Sequence, residues 1–501
     1  MSDRNNASGE GVSPSPRNPG VTPGPRNPNV KPVPEKAKRE SPSVSDAAAR
    51  LRWSVYALLI FLSASVMLGR ILAVDSVAGH PRRPFLSAND RSRWCTVRAL
   101  VEDDMRVPGV PYAIDRVIQQ PGWDTIDMVK HDEHLYSSKP PLLPTLMAAV
   151  YWPVYRLGGV TLGDHPYEID RAMLVLLNLV PLLIFFFLLA QLAERFGTTD
   201  WGRIFVMAAA CFGTLLTTFA VVVNNHVPAA VCAAVAIYAT IRIWFDGERR
   251  LRYFVIAGLF AALAATDEFP AASLLAAISL VVLVKAWRPA LLGFLPAVVV
   301  VAGGFFGTNW IAHHTLKPAY LHQGGSGVEN WYDYTYQRNG RTVESYWRNP
   351  QGVDRGEPSP KIYALNVLVG HHGVFSLTPV WLLSLVGLGL WLYRPADPRL
   401  RWAAAAILAI SAAVIAFYLM RPQLQRNYGG VACGLRWLFW LAPLWLLAML
   451  PAADWLAARR WTRGLCLVLL AVSALSASYP TWNPWTDPWL MVFSQYIGWG
   501  T

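Results

Sequence analysis

N-D-R-S-R-W-C-T-V-R-A-L-V-E at residues 89–102, followed by Y-S-S-K-P-P-L-L-P at 136–144, is the stretch on which the reading of this chain turns. The first piece comes shortly after an apolar run at 53–74 and sets Asp90 just beyond it. The second puts Lys139 ahead of two prolines that open an amphipathic segment. A carboxylate and a lysine at a membrane border suit chemistry on an anionic lipid. Asn89 can cap a short helix whose Trp94, Val97, Val101 and Met105 form one apolar stripe lying on the membrane, with Asp90 in its first turn. From spacing alone, complementing that helix's dipole accounts for Asp90 as well as catalysis does.

Working outward, composition sets the class. With 54% hydrophobic and 15% charged residues, and repeated apolar runs of roughly 18 to 23 residues, the chain matches what a helix needs to cross a hydrocarbon core. A soluble globular class is excluded. The net charge of +12 does not indicate a nucleic-acid partner, because the basic residues sit in a proline-rich tail and in short loops rather than on a folded stripe. Cys211, Cys232 and Cys466 lie in apolar runs, and Cys95 and Cys433 in polar segments. No metal-ligand spacing appears among them, and Cys95 and Cys433 are expected to stay unpaired unless both face an oxidising compartment.

Residues 1–48 are rich in Pro, Ser, Asn, Gly, Lys and Arg, cannot offset the entropy of folding, and are expected to be a disordered cytoplasmic tail. The apolar run at 53–74 is a permanent first span rather than a cleaved signal. Further runs at about 171–193, 203–223, 227–244, 251–266, 269–286, 289–311, 375–393, 401–420, 435–453 and 464–479 bring the expectation to about eleven crossings. Parity decides the status of 140–157. If it does not cross, the loops carrying Arg195, Arg242, Arg288, Arg399 and Arg459 all share the side of the basic tail, as the positive-inside rule requires. That segment is therefore placed in the outer interface, where Tyr151, Trp152 and Tyr155 suit an aromatic belt. The expected division is a cytoplasmic tail 1–48, a membrane module 49–311 with first outer loop 75–170, a second outer loop 312–374, and C-terminal spans with a Trp-rich outer tail over 375–501.

An Asp soon after the first span, an amphipathic helix, Lys-Pro-Pro-Leu at 139–142, and a span opening near Glu168, Asp170 and Arg171 resemble the GT-C superfamily. The aminoarabinose transferases of lipid A and the protein O-mannosyltransferases are the relatives this pattern is similar to. The resemblance covers about 75–310, and more loosely the outer loop N-Y-G-G-V-A-C-G-L-R-W at 427–437 and the tail N-P-W-T-D-P-W at 483–489. It implies an all-α polytopic fold and transfer of a sugar from a polyprenyl-phosphate donor to an acceptor glycan, lipid or protein. The site would face the outer, periplasmic side of a cell inner membrane. The pattern also departs from those relatives. Arg91 stands where they carry a second carboxylate, Ser138 replaces an acidic residue before Lys-Pro-Pro-Leu, and Val-Asn-Asn-His-Val-Pro at 223–228 replaces a loop acid. No protein metal site is assigned, and dependence on a divalent ion stays open.

Displacing a lipid phosphate from an anomeric carbon needs a base for the acceptor's proton and cations for the departing phosphate. Asp90 is the expected base, which implies inversion. Lys139 is the expected phosphate cation, with Arg426 and Arg436 as second choices. Lys139 as a snorkelling anchor is the plainer alternative. Asn225 and His226, Asp267 and Glu268, His313, His372 and Tyr428 are candidates for substrate contact, each also explicable as a cap, a turn or packing. Adjacent pairs such as His313-His314 and His371-His372 chelate poorly. Two other classes compete. A secondary transporter would want an internal repeat that the sequence lacks, and a membrane-bound acyltransferase would use His371 or His372.

Overall fold

The computed structural model describes residues 44–74, 84–324, 329–481 and 483–498. The tail expected to be disordered lies outside these residues except for its last five, which already belong to the first helix, α1 (Val44–Ala73). That helix exposes Leu51, Phe61 and Leu72, the apolar exterior that hydrocarbon rather than water tolerates. Arg52 ties it to Glu194 at 2.7 Å and to Asp200 at 2.8 Å, and Tyr56 Oη donates to Glu194 at 2.7 Å.

Next come α2 (Ala88–Val101), β1 (Met128–His131), β2 (His134–Ser137) and α3 (Leu142–Gly158). A continuous helix follows, α4 (Pro166–Leu174) and α5 (Val180–Phe196), joined through one π turn. The chain then runs through α6 (Asp200–Phe212), α7 (His226–Trp244), α8 (Leu251–Asp267), α9 (Ala272–Pro289) and α10 (Leu295–His313). A second hairpin, β3 (Thr335–Arg338) and β4 (Arg341–Glu344), precedes α11 (Pro360–Leu368), α12 (Val374–Leu377) and α13 (Trp381–Tyr393). The last helices are α14 (Pro398–Leu419), α15 (Ala442–Leu456), α16 (Arg460–Ser478) and α17 (Trp489–Tyr496).

This is a helical polytopic membrane protein. Among the described residues, seven helical stretches are long and apolar enough to cross a bilayer, one of them the kinked Phe269–His313. α8 and α13 coincide with two further expected spans but are shorter, and α3 is not among the seven.

The run at 203–223 is not one helix. α6 stops at Phe212, and the chain continues through a short 3-10 turn at Thr218–Val221 and an extended segment, all buried. Irregular backbone at that depth must find internal partners. Asn178 Nδ2 donates to the carbonyls of Ala220 and Val222, each at 2.9 Å, and Asn224 Nδ2 to those of Phe219 and Val222.

Small residues let the helices close on each other, as interhelical packing in lipid favours. A Cβ at Gly387 of α13 would overlap the carbonyl oxygen of Ala448 in α15, and one at Gly258 of α8 would overlap that of Phe294.

Two local expectations are corrected. The N-cap of α2 is Ser87 rather than Asn89, since Ser87 Oγ accepts from the amides of Asn89 and Asp90. The stripe Trp94, Val97, Val101 and Met105, expected to lie on the membrane, is buried in the protein, and so are Arg93, Thr96 and Arg98, so α2 sits inside the protein and not flat on a membrane surface. By contrast α3 keeps one side out: Leu146, Trp152 and Val154 are exposed, while Met147, Ala148 and Tyr151 are buried. No disulfide joins Cys95 to Cys433.

Candidate active site

The site begins with the β1–β2 hairpin. Met128 pairs with Ser137 and His131 with His134. The two turn residues, Asp132 and Glu133, both have positive φ (46° and 66°), which matches the right-handed twist of the strands. One step beyond the ladder, Ser138 N donates to Asp127 O at 3.0 Å. That register carries Lys139 back to Asp127, whose Oδ1 lies 3.2 Å from Lys139 Nζ, both side chains being largely buried. The hairpin is fastened on both sides. Ser92 Oγ of α2 donates to Asp127 O at 2.7 Å, Tyr334 Oη to Met128 O at 3.2 Å, and Trp347 Nε1 to Ile126 O at 2.8 Å.

Two more buried cations face this pair. Arg93 of α2 donates through Nη1 to Asn89 O at 2.9 Å and through Nη2 to Asn225 Oδ1. Arg436, at the entry to α15, donates from Nε to His226 Nε2 at 2.9 Å and from Nη1 to Gly429 O, with its guanidinium carbon 4.5 Å over Trp485. Burial pushes the Lys139 ammonium below its ordinary value. Asp127 opposes this, and the charges of Arg93 and Arg436 add to it. Three buried cations around one carboxylate leave positive charge in excess, which is costly unless a further anion joins them.

Behind them lies a second polar layer. Asn225 Nδ2 donates to Asp267 O at 2.9 Å and to Glu268 Oε1 at 2.7 Å. Glu268 Oε1 also meets His226 Nδ1. Because Arg436 donates to Nε2, the imidazole carries its proton on Nδ1, facing Glu268. Burial and the neighbouring Asp267 push the Glu268 carboxyl well above its usual range, against the pull of Arg436 and Arg93. The pair therefore orients Arg436 and Asn225, with no lone pair of His226 left to face a substrate.

Asp90 is buried beside this layer, in another role. It is the N3 residue of the α2 capping box: Oδ2 accepts from Leu86 N at 3.0 Å, and Oδ1 from Ser87 N at 3.0 Å, Arg91 N at 2.7 Å and Ser87 Oγ at 3.2 Å. Burial lifts its carboxyl to about 6, against the bonds from Ser87 and Arg91 and the charge of Arg91.

Of the residues expected from the sequence, Lys139, Arg436, Asn225, His226, Asp267 and Glu268 are thus brought together. Others lie elsewhere. Arg426 clamps the backbone, donating to the carbonyls of Glu357, Pro358 and Arg421 at 2.8, 2.7 and 3.0 Å. His313 packs behind the hairpin against Tyr136 (4.8 Å) and Trp331 (5.6 Å). His372 stacks on Tyr428 at 4.6 Å, beside His371, in a separate cluster under the 421–436 loop. Among the described residues, no group of three or more His, Cys, Asp or Glu is arranged to hold a metal.

Asp127 and Arg93 were missed by the sequence reading. The signal for Asp127 was the alternation on either side of Asp132-Glu133, which as a two-residue hairpin puts 127 opposite 138. Arg93 lies one turn after Asn89 on the same helix face.

No known family profile matches the chain, and no curated protein matches it. Similar solved structures include the oligosaccharyltransferase of Archaeoglobus fulgidus in complex with Zn and sulfate (12% identity, TM-score 0.45, covering 87% of this chain and 54% of that one). Its apo form gives 11% identity and a TM-score of 0.45, covering 89% and 57%. The oligosaccharyltransferase AglB of the same organism, in complex with an inhibitory peptide and a dolichol-phosphate, gives 13% and 0.44, covering 88% and 57%. The chain spans a little over half the length of these proteins.

Proposed function

We propose that this protein is an integral-membrane glycosyltransferase that moves a sugar from a polyprenyl-phosphate carrier to an acceptor hydroxyl at the membrane face opposite its N-terminus. The observation that carries the reading is a cluster of three buried cations in which Lys139 pairs with Asp127 and Arg93 and Arg436 feel the charge of the same carboxylate, where α7, α9 and α15 begin. A lipid phosphate whose prenyl tail is in the bilayer has its charge at that level. The lysine and two arginines would hold it and gain a second anion beside Asp127.

In this reading the acceptor oxygen loses its proton to Asp127 and attacks the anomeric carbon. The bond from that carbon to the phosphate oxygen breaks, and the leaving phosphate keeps the electron pair, stabilised by Lys139, Arg93 and Arg436. Direct displacement inverts the anomeric centre. The sequence pointed to Asp90 as base, but its oxygens already accept four bonds, so Asp127 takes that role here. Asp90 then fixes α2 and with it Arg93. Eleven crossings, a cytoplasmic N-terminus, an outer-face site in a cell inner membrane and the division at 48, 311 and 374 belong to the same proposal.

Mass spectrometry of lipids that copurify with the chain tests the reading. A polyprenyl phosphate or its glycoside is expected in the parent and reduced in Lys139→Ala. Its absence from both, with other lipids retained, speaks against a lipid-phosphate substrate.

A further inference from the structure

Along the helices that carry the polar cluster, a narrow apolar cleft opens between α9 and α14, running from Leu274 and Leu444 to Trp244 and Leu400. Ala277 and Ile278 form one wall, Ala406 and Ile407 the other, and Ile241 and Leu447 the floor. Its one hydroxyl, on Thr240, is already spent on Ala236 O at 2.7 Å. Ala406 is exposed at the rim, so the cleft faces the hydrocarbon of the bilayer. Water has nothing to bond to in such a space, and an empty gap forfeits dispersion contacts along both walls. A hydrocarbon chain suits such a space.

The cleft ends in an aromatic cap under a basic layer. Phe196 meets Phe245 edge-on at 5.4 Å, and Arg399, paired with Asp397 at 2.5 Å, lies 4.7 Å over Phe245 and donates to the carbonyls of Trp244 and Phe245 at 3.2 and 3.1 Å, so it seals the end of the cleft. The edging segments 242–252, 285–288 and 394–401 carry nine Lys and Arg against three Asp and Glu. A chain lying in the cleft therefore has its headgroup among cations, and basic pockets between membrane helices favour anionic lipid headgroups.

We propose that this cleft binds an anionic glycerophospholipid, with one acyl chain between α9 and α14 and its phosphate on the rim near Arg401. The inference is independent of the glycosyltransferase reading, since it involves none of the residues of that site. The test is a binding titration of the full chain in detergent by native mass spectrometry, with phosphatidylglycerol and phosphatidylcholine of identical chains and with a polyprenyl phosphate. Phosphatidylglycerol should bind on the order of tenfold more tightly than phosphatidylcholine. Ala277→Trp and Ala406→Trp should each abolish its retention, and Arg401→Gln should narrow the preference. If Ala277→Trp fails to fold, Ala406→Trp, on the bilayer side of α14, decides. Equal binding of the two phospholipids, unchanged retention in the tryptophan variants, or tighter binding of the polyprenyl phosphate in this cleft overturns the proposal.

Discussion

Asp90 accepts bonds from three backbone amides and one hydroxyl, whereas Asp127 offers its carboxylate to a lysine beside two arginines. The two should respond differently to loss of charge. Asp127→Asn is expected to cost stability, because it leaves Lys139 buried without its carboxylate, and to lower turnover by roughly two to four orders of magnitude, the usual contribution of a general base. Asp90→Asn should cost about 0.5–2 kcal/mol of stability through the weakened cap and change turnover far less. Kinetics on both variants, alongside thermal melts, separate the roles, and the opposite pattern would return the base to Asp90. The pH dependence gives a second check. Burial raises the Asp90 carboxyl from an ordinary 3.8 to about 6, so the fold favours its protonated form. That contribution is full below about pH 4 and lost as pH rises through about 6. Melts taken across this window should show a decline in the parent that is flatter in Asp90→Asn.

At the scale of elements, the hairpin and the helix contacts carry the site. Asp132 and Glu133 hold left-handed backbone that costs non-glycine residues on the order of 1–3 kcal/mol each. Replacing them by Asn-Gly should raise the melting temperature while leaving the pairing of Asp127 with Lys139, and hence donor binding, unchanged. Gly387→Ala should destabilise by about 1–3 kcal/mol, because the new methyl meets the Ala448 carbonyl. Gly389→Ala, two residues on with open space around it, should not. A thermal melt in detergent of both variants reads the difference.

These elements also show what was legible beforehand. The apolar runs announced most of the helices, since hydrophobic length alone determines them. The break after Phe212 was not visible, because a buried extended segment is as apolar as a helix and depends on Asn178, distant in sequence, for its hydrogen bonds. Lys139, Asn225, His226 and Glu268 could be singled out because each stands where an apolar run begins or ends. Asp127 could not be singled out without the hairpin register, and Arg93, off the apolar stripe of its helix, carried no signal until α2 proved to be buried.

On the scale of the whole molecule, the polar cluster stands at the shared start of α7, α9 and α15, and the arginine-rich loops stand at their far ends. In the proposed topology, which follows the positive-inside rule, the cluster lies outside. Reporters at Lys139 and at the C-terminus should both respond as outside with the N-terminus inside, and a cytoplasmic C-terminal response would contradict the count of eleven crossings. The central claim is that the three cations bind a lipid phosphate. Its most direct test is a titration of the purified parent, Lys139→Ala and Lys139→Arg with a polyprenyl phosphate, using the matching polyprenol as control. The account predicts that the parent prefers the phosphate over the alcohol, that Lys139→Ala loses most of that preference, and that Lys139→Arg recovers part of it because the charge is kept and the point-like geometry is not. Equal binding of phosphate and alcohol, or three proteins that bind the phosphate alike, would contradict it.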